Sequence, residues 1–339
     1  MILLGDLMVQ LSSKWARTQL WIFALIVVIF CSANEYLLPS PLFWIPIGIY
    51  CLFNAYLELI VSAIFITPGP AKESLDSVGW QSHMRDFDKI TTHIQTFRQQ
   101  HTAPLIVLLH GWRGSSASVQ GRAEWFVNQG WHVVLCELPG HGKSTRVARW
   151  NALTAVKHIQ YHIKNLDELI EPQDVSHVFL YGHSMGGYIC TRLSIDKNNI
   201  PYDLPLSGLV LESPLMLYSK ILNEIRDRLM IPNFLHSSHM RRVFRDVKIM
   251  HPSIHITGIE QFDVPQWGVP AVPTLCLQAM TDTRLGRDHY DATVKMLSQS
   301  DNLSHHLIES MTHSGARTNE EREHHLRVWL NTLESIVVI

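Results

Sequence analysis

The chain has 339 residues, enough for one large domain or two modest ones. Its 28 Lys/Arg nearly balance its 30 Asp/Glu, which leaves no electrostatic case for a nucleic-acid partner. Charged residues make up only 17% of the chain, against about 25% in an average soluble domain, so part of it must be unusually apolar.

That part is the N-terminus. No Asp, Glu, Lys or Arg occurs from Thr18 to Asn34, and from Tyr36 to Pro70 the only one is Glu58. A spanning helix needs roughly 20 apolar residues. Two segments, at about 18–36 and 42–66, approach or reach this length, and Pro39 and Pro41 suit a turn between them. Lys14 and Arg17 precede the pair; Lys72, Arg85 and Lys89 follow it. The positive-inside rule then predicts a transmembrane helical hairpin with both ends in the cytoplasm. Glu58 belongs near the cytoplasmic interface or against the partner helix. The alternative is a signal peptide cleaved after Cys31-Ser32-Ala33, which would place the remainder outside. The expected organisation is an anchor over 1–70 and a globular domain over 71–339.

After the linker Pro68-Gly69-Pro70, weak alternation over Met84–Ile90 and Thr92–Phe97 predicts a solvent-facing hairpin. Leu105–Leu109 reads as a strand buried on both faces and ends in the loop His110–Ser116. A helix over Ala117–Gln129 should stop at Gly130, before a second buried strand at His132–Cys136. The loop Leu138–Ser144 and a helix from Trp150 to about Ile170 lead to a third strand, Val178–Tyr181. Alternating buried strands and amphipathic helices imply an α/β fold, a mostly parallel sheet with helices on both faces. Chemistry in such sheets collects beyond the carboxyl ends of the strands.

There stands Gly182-His183-Ser184-Met185-Gly186-Gly187, running directly into a helix. This is G-x-S-x-G at a strand-to-helix turn, the nucleophile elbow. The turn is tight enough that side chains at Gly182 and Gly186 would meet neighbouring backbone, and it lifts Ser184 clear of the sheet. None of the five widely spaced cysteines forms a C-x-x-C pair, so neither a disulfide framework nor a structural zinc site is indicated.

From about Val78 onward these features resemble the α/β-hydrolase superfamily, and Gly-His-Ser-Met-Gly-Gly is similar to the elbow of monoacylglycerol lipases and lysophospholipases. His110-Gly111 resembles the family's oxyanion loop. Gly140-His141-Gly142-Lys143-Ser144 resembles its G-H-G-x-S loop, although Glu137 stands where many relatives have Asp. The resemblance implies the chain order Ser, acid, His. Asp282, just beyond the strand Pro273–Gln278, lies where the family's acid lies, with Glu212, at the end of the strand Leu206–Leu211, in reserve. Among twenty histidines, His313 alone occupies the loop between the last strand, Ser304–Glu309, and the C-terminal helix, Asn319–Leu333, and it is the expected base. Met185 and Trp112 are the expected oxyanion-hole N–H donors. His141 and His183 read as loop-fixing hydrogen-bonders.

Between about 214 and 270 a basic insertion interrupts the alternation and reads as a cap. Its His236, His239, His251 and His255 make no recognisable metal set. The expected function is a serine hydrolase cleaving carboxylic esters of lipid-like substrates, a lysophospholipid or a monoacylglycerol, through an acyl-enzyme, with no cofactor. An acyltransferase with the same triad and a non-catalytic membrane scaffold of the same fold are the alternatives.

Overall fold

The computed structural model of the chain describes residues 24–25, 41–65, 72–195, 202, 204–252, 257–298, 302–315 and 317–337. The chain divides into two compact units, Thr67–Tyr218 with Phe262–Ile339, and Met1–Ile66 with Ser219–Gln261. The insertion expected over 214–270 therefore groups mostly with the N-terminal helix rather than with the domain whose sequence it interrupts.

The larger unit has the α/β-hydrolase fold: a mostly parallel sheet with helices on both faces. Its strands are β1 (Gln81–Phe87), β2 (Ile90–Phe97), β3 (Ala103–Leu109), β4 (His132–Cys136), β5 (Val175–His183), β6 (Leu206–Glu212), β7 (Thr274–Ala279) and β8 (Leu303–Ile308). They run in the order β1-β2-β4-β3-β5-β6-β7-β8. β1–β2 and β2–β4 pair antiparallel and the rest pair parallel. The continuous apolar runs of β3 and β4 are buried because helices cover both faces of the sheet; Ile106, Leu108, Val133 and Leu135 join Phe126, Tyr181, Val210 and Leu277 in the core.

The expected hairpin forms, but its solvent-facing character holds for β1 and not for β2. Asp88 and Lys89 at the turn have φ of 47° and 65°, the left-handed pair that matches hairpin twist. β2, however, is an inner strand paired on both sides, and Thr92, His93, Gln95 and Thr96 are buried. Most of their polar groups find partners: His93 bonds to Ser82 and Glu137, the Gln95 amide N–H donates to the Leu75 carbonyl, and Thr96 meets His83, whereas Thr92 Oγ1 and Gln95 Oε1 have none among the described residues. Alternation read as exposure fails for an inner strand whose polar residues are buried and for the most part bonded internally.

The helices of this unit are α2 (Gln120–Asn128), α3 (Ala152–Lys164), α4 (Met185–Ile195), α7 (Arg287–Leu297) and α8 (Glu320–Val337). α2 is preceded by a 3₁₀ turn over Ser116–Val119, α3 ends short of the expected Ile170, and α7 has no counterpart in the sequence reading. The smaller unit contains α1 (Pro41–Ile64) and α6 (Asn233–Met250); α5 (Tyr218–Arg228) leads into it. Among the described residues no helix is long and apolar enough to cross a membrane. The first apolar segment, apart from Ala24 and Leu25, lies outside the described residues. In α1, Glu58 accepts from Arg245 Nη2 at 2.9 Å and Arg242 Nε at 3.1 Å, both on α6. Among the described residues its counterions come from the insertion.

One buried network ties four elements of the larger unit. Glu212, at the end of β6, receives Arg122 of α2 through Nε at 2.7 Å and through Nη2, and also the Tyr181 hydroxyl of β5. Arg322 of α8 stands 3.7 Å away. Burial alone would raise the Glu212 carboxyl, but the Arg122 charge outweighs it and holds the group well below the usual range. A buried carboxylate that loses its partner is costly. Arg122→Met should therefore lower stability by about 3–5 kcal/mol in chemical denaturation. A loss within experimental error would show that Glu212 does not need its partner.

Candidate active site

The elbow is formed as its glycines require. Ser184 has φ of 53°, left-handed for a residue with a side chain. A Cβ on Gly182 would overlap the Gly186 backbone, and one on Gly186 would overlap the Leu109 carbonyl and stand 2.9 Å from that of His110. The turn is held by the Ser184 N–H donating to the Glu212 carbonyl at 3.0 Å and by the Gly187 N–H donating to the Ser184 carbonyl at 3.0 Å. α4 starts at Met185, so the serine sits at a helix N-terminus, where the backbone dipole favours negative charge.

The expected acid and the elbow serine lie on either side of the expected base, His313. His313 Nε2 is 3.1 Å from Ser184 Oγ, and its Nδ1 is 2.7 Å from Asp282 Oδ2. Asp282 is further held by Gln278 Nε2 at 3.0 Å and by the N–H groups of Arg284 and Leu285 at 2.8 and 3.0 Å. Burial pushes its carboxyl up, but the His313 ring and these donors outweigh burial and keep it well below the ordinary range. An ionised Asp282 fixes the proton of His313 on Nδ1 and leaves Nε2 free to accept from Ser184. Glu212, the reserve acid, is committed to Arg122 and Tyr181.

Gly111 brings the loop after β3 against the elbow. A Cβ there would stand 3.0 Å from that of Ser184. Among the described residues the backbone N–H groups of Met185 and Trp112 have no hydrogen-bond partner. The Trp112 ring meets Trp150 edge-on at 4.4 Å and His141 at 5.3 Å, giving this side of the site an aromatic wall.

Three residues shape the site without standing out by spacing. His110 accepts from the Leu138 N–H at 3.1 Å through Nε2, so its Nδ1–H donates to the Gly111 carbonyl at 2.8 Å. It pins the oxyanion loop to the loop after β4. Glu137, where relatives often carry Asp, accepts from the Ser116 and Lys143 N–H groups at 2.9 and 2.7 Å and from His93 at 2.8 Å. The longer acid fills the space under Gly142, whose φ is 50° and whose Cβ would strike the carboxylate. His183, within the elbow itself, reaches the His313 carbonyl through Nε2 at 2.6 Å, fastening the base loop to the nucleophile turn. His141 donates through Nδ1 to the Pro139 carbonyl at 3.0 Å. The loop-fixing reading of both histidines thus matches their contacts.

The family described as serine aminopeptidase, S33, matches residues 100–304, more than half of the chain. The chain belongs to this family of α/β-hydrolase serine hydrolases and is similar to lysophospholipases. It is 30% identical over 125 residues to phospholipase YtpA of Bacillus subtilis, covering 35% of this chain and 43% of that protein. It is 33% identical over 104 residues to (E)-2-((N-methylformamido)methylene)succinate hydrolase of Acinetobacter baylyi, covering 31% and 36%. The chain thus matches less than half the length of these curated relatives. Among solved structures it resembles the Pyrococcus furiosus esterase Pf2001, with a TM-score of 0.58 at 15% identity over 79% of this chain and 97% of that one. A putative hydrolase of Agrobacterium vitis S4 has a TM-score of 0.54 at 16% identity, over 75% and 98%. At such identities the likeness speaks for the fold.

Burial lowers His141 to about 3 and His183 to about 4, and on α3 it lowers His158 and His162 to about 4. Above the ordinary value of 6.5 these rings are neutral in both states, and their full contribution to stability is present. As pH falls from 6.5 toward about 4, the unfolded chain takes up protons that the folded chain refuses, and stability is lost. Glu137, opposed by burial but lowered by its hydrogen bonds to about 2, extends the loss from 4.5 downward. Tm should therefore fall progressively from about pH 7 to about pH 4, measured by calorimetry. A Tm that stays level across this range would mean the buried rings titrate normally.

Proposed function

We propose that this S33 hydrolase cleaves carboxylic esters of lipid-like substrates, a lysophospholipid or monoacylglycerol, through a Ser184 acyl-enzyme. The observation that carries the reading is the relay Asp282–His313–Ser184, with both hydrogen bonds made and the tautomer set. Ser184 Oγ attacks the ester carbonyl carbon while its proton passes to His313 Nε2. The oxyanion that forms is stabilised by the N–H groups of Met185 and Trp112, which have no hydrogen-bond partner among the described residues. Collapse breaks the bond to the alcohol, which leaves with the proton from His313. Water, deprotonated by the same ring, then releases the acid and restores the serine. Asp282 orients His313 and stabilises its imidazolium. The lipid-like substrate is supported by the similarity to a protein named a phospholipase and by the apolar N-terminus.

Membrane attachment through residues 1–70, with the hydrolase domain over 71–339 on the cytoplasmic side, belongs to the same proposal. The uncharged run from Thr18 to Asn34 and the basic residues before and after the apolar pair support a hairpin that enters and leaves by one face. The contacts of Glu58 with Arg242 and Arg245 support placing the Glu58 end of the second arm at the cytoplasmic face. An N-terminus at Asn34 in the mature chain would move the domain outside.

A fluorophosphonate probe should label the native protein and fail on Ser184→Ala. His313→Ala should lower kcat by several orders of magnitude, and Asp282→Asn by about 10⁴-fold, with KM little changed. Labelling that survives Ser184→Ala would remove the nucleophile assignment. Product formed only when an alcohol acceptor is added would identify an acyltransferase instead.

A further inference from the structure

The helix α1 buries Leu57, Ile60 and Val61 and yet leaves a second apolar face exposed. Asn54 and Glu58, four residues apart, share one face. That face is turned inward: Glu58 is bound by Arg242 and Arg245, and Asn54 accepts from Arg242. Leu52, Tyr56 and Leu59, spaced by four and three, line the opposite face with Phe53 beside them. Leu52 is 72% exposed and Leu59 63%. A surface helix in water buries its apolar stripe and turns a polar face outward; in α1 the outward face is apolar as well.

The apolar surface continues onto the insertion. The Tyr56 hydroxyl donates to the Leu229 carbonyl at 3.4 Å, so the turn after α5 lies beside the exposed row. That turn presents Met230 at 83% exposure, and Phe234 in the first turn of α6 is 76% exposed. Exposed apolar side chains gathered from two elements of one unit mark a contact surface. Charge identifies what it contacts. The insertion from Ser219 to Gln261 holds seven Lys/Arg against four Asp/Glu, in a chain whose net charge is −2. Arg228 is 81% exposed, and Arg241 and Lys248 continue the Phe234 row of α6 at intervals of seven, exposed as well. A second copy would bring like charge against like; anionic lipid head groups bring the opposite charge.

We propose that Leu52, Phe53, Tyr56 and Leu59 of α1, together with Met230 and Phe234 of the insertion, form a surface that lies in the head-group region of an anionic bilayer, with the exposed basic residues of the insertion on the lipid phosphates. The insertion is then itself a membrane-contacting element, locked to α1 by the Glu58 ion pairs. This rests on the membrane attachment proposed above and extends it to residues far from the N-terminus.

The test uses the full chain with Cys31→Ser and Cys51→Ser, carrying an environment-sensitive dye at Met230→Cys, Phe234→Cys or Val78→Cys. Val78, 98% exposed in the other unit, is the control. With vesicles containing phosphatidylglycerol, dyes at 230 and 234 should shift to the blue. Lipids brominated on the acyl chain should quench them by roughly twofold, as expected for an interfacial depth of ~5–10 Å. The dye at 78 should not respond. Vesicle-bound protein whose dyes at 230 and 234 are not quenched overturns this inference and leaves attachment standing. Protein that does not sediment with vesicles overturns both. Burial of these dyes without lipid, accompanied by a dimer in light scattering, assigns the surface to a second copy and overturns the inference.

Discussion

A serine with φ near 53° is an unfavourable conformation, and the larger unit is organised around holding it. The turn exists only because β5 and α4 approach each other without side chains at Gly182 and Gly186. The same close approach fixes the loop after β3, since Gly186 lies on the Leu109 carbonyl and Gly111 lies on Ser184. What stops the strain from relaxing is the end of β6. Glu212 receives the Ser184 N–H through its backbone and the Arg122 guanidinium through its side chain. One residue therefore couples the strained turn to a buried ion pair that joins α2, β5 and β6. A buried salt bridge is weak evidence of net stability, but its geometry is directional, and direction is what a strained turn needs.

The site separates charge from neutrality by the same means. Asp282 and Glu137 are buried carboxyls that stay ionised because each collects several donors. His110, His141 and His183 are buried rings held neutral because burial outweighs the carbonyl acceptors that would favour a positive charge there. Neutral rings have a fixed tautomer once one nitrogen is engaged, and here they join loops that the strands alone would leave independent. His183 connects the elbow to the loop of His313, so the distance between Ser184 and His313 depends on a ring inside the elbow itself.

How much of this the sequence disclosed depended on the range of the interaction. β3, β4 and β6 were legible as apolar runs, and the grouping of Ser184, Asp282 and His313 followed from a local motif and from the chain order that the family resemblance implies. The roles of β2 and of Glu137 were not legible. The polar residues of β2 look solvent-facing until partners more than forty residues away, such as Glu137 for His93, are in place. Glu137 reads as a conservative replacement until Gly142 is seen to fold over its longer side chain. The helix α7 follows Gly286, whose φ of 76° gives no ordinary capping signal. Each miss is a long-range contact or a backbone conformation with no local signature.

The division of the chain carries the same lesson further. Hydropathy separates residues 1–70 from the rest, and alternation separates 214–270 from the domain around it, but neither pattern says that the two pieces belong together. Their link is Glu58, the one acidic residue in an apolar stretch, and the arginines it meets lie more than 180 residues later. A lone carboxylate in such a run is costly unless its charge is matched, and the insertion supplies the match. Ser184, His313, Asp282, Gly111 and the Glu212 network all lie in the other unit. The chain thus assembles its relay from one set of elements and commits a basic insertion to the helix that hydropathy alone would assign to a membrane. The position of that insertion, beginning directly after the strand that ends in Glu212, makes the helix that precedes the hydrolase fold in sequence a structural companion of a segment from its middle.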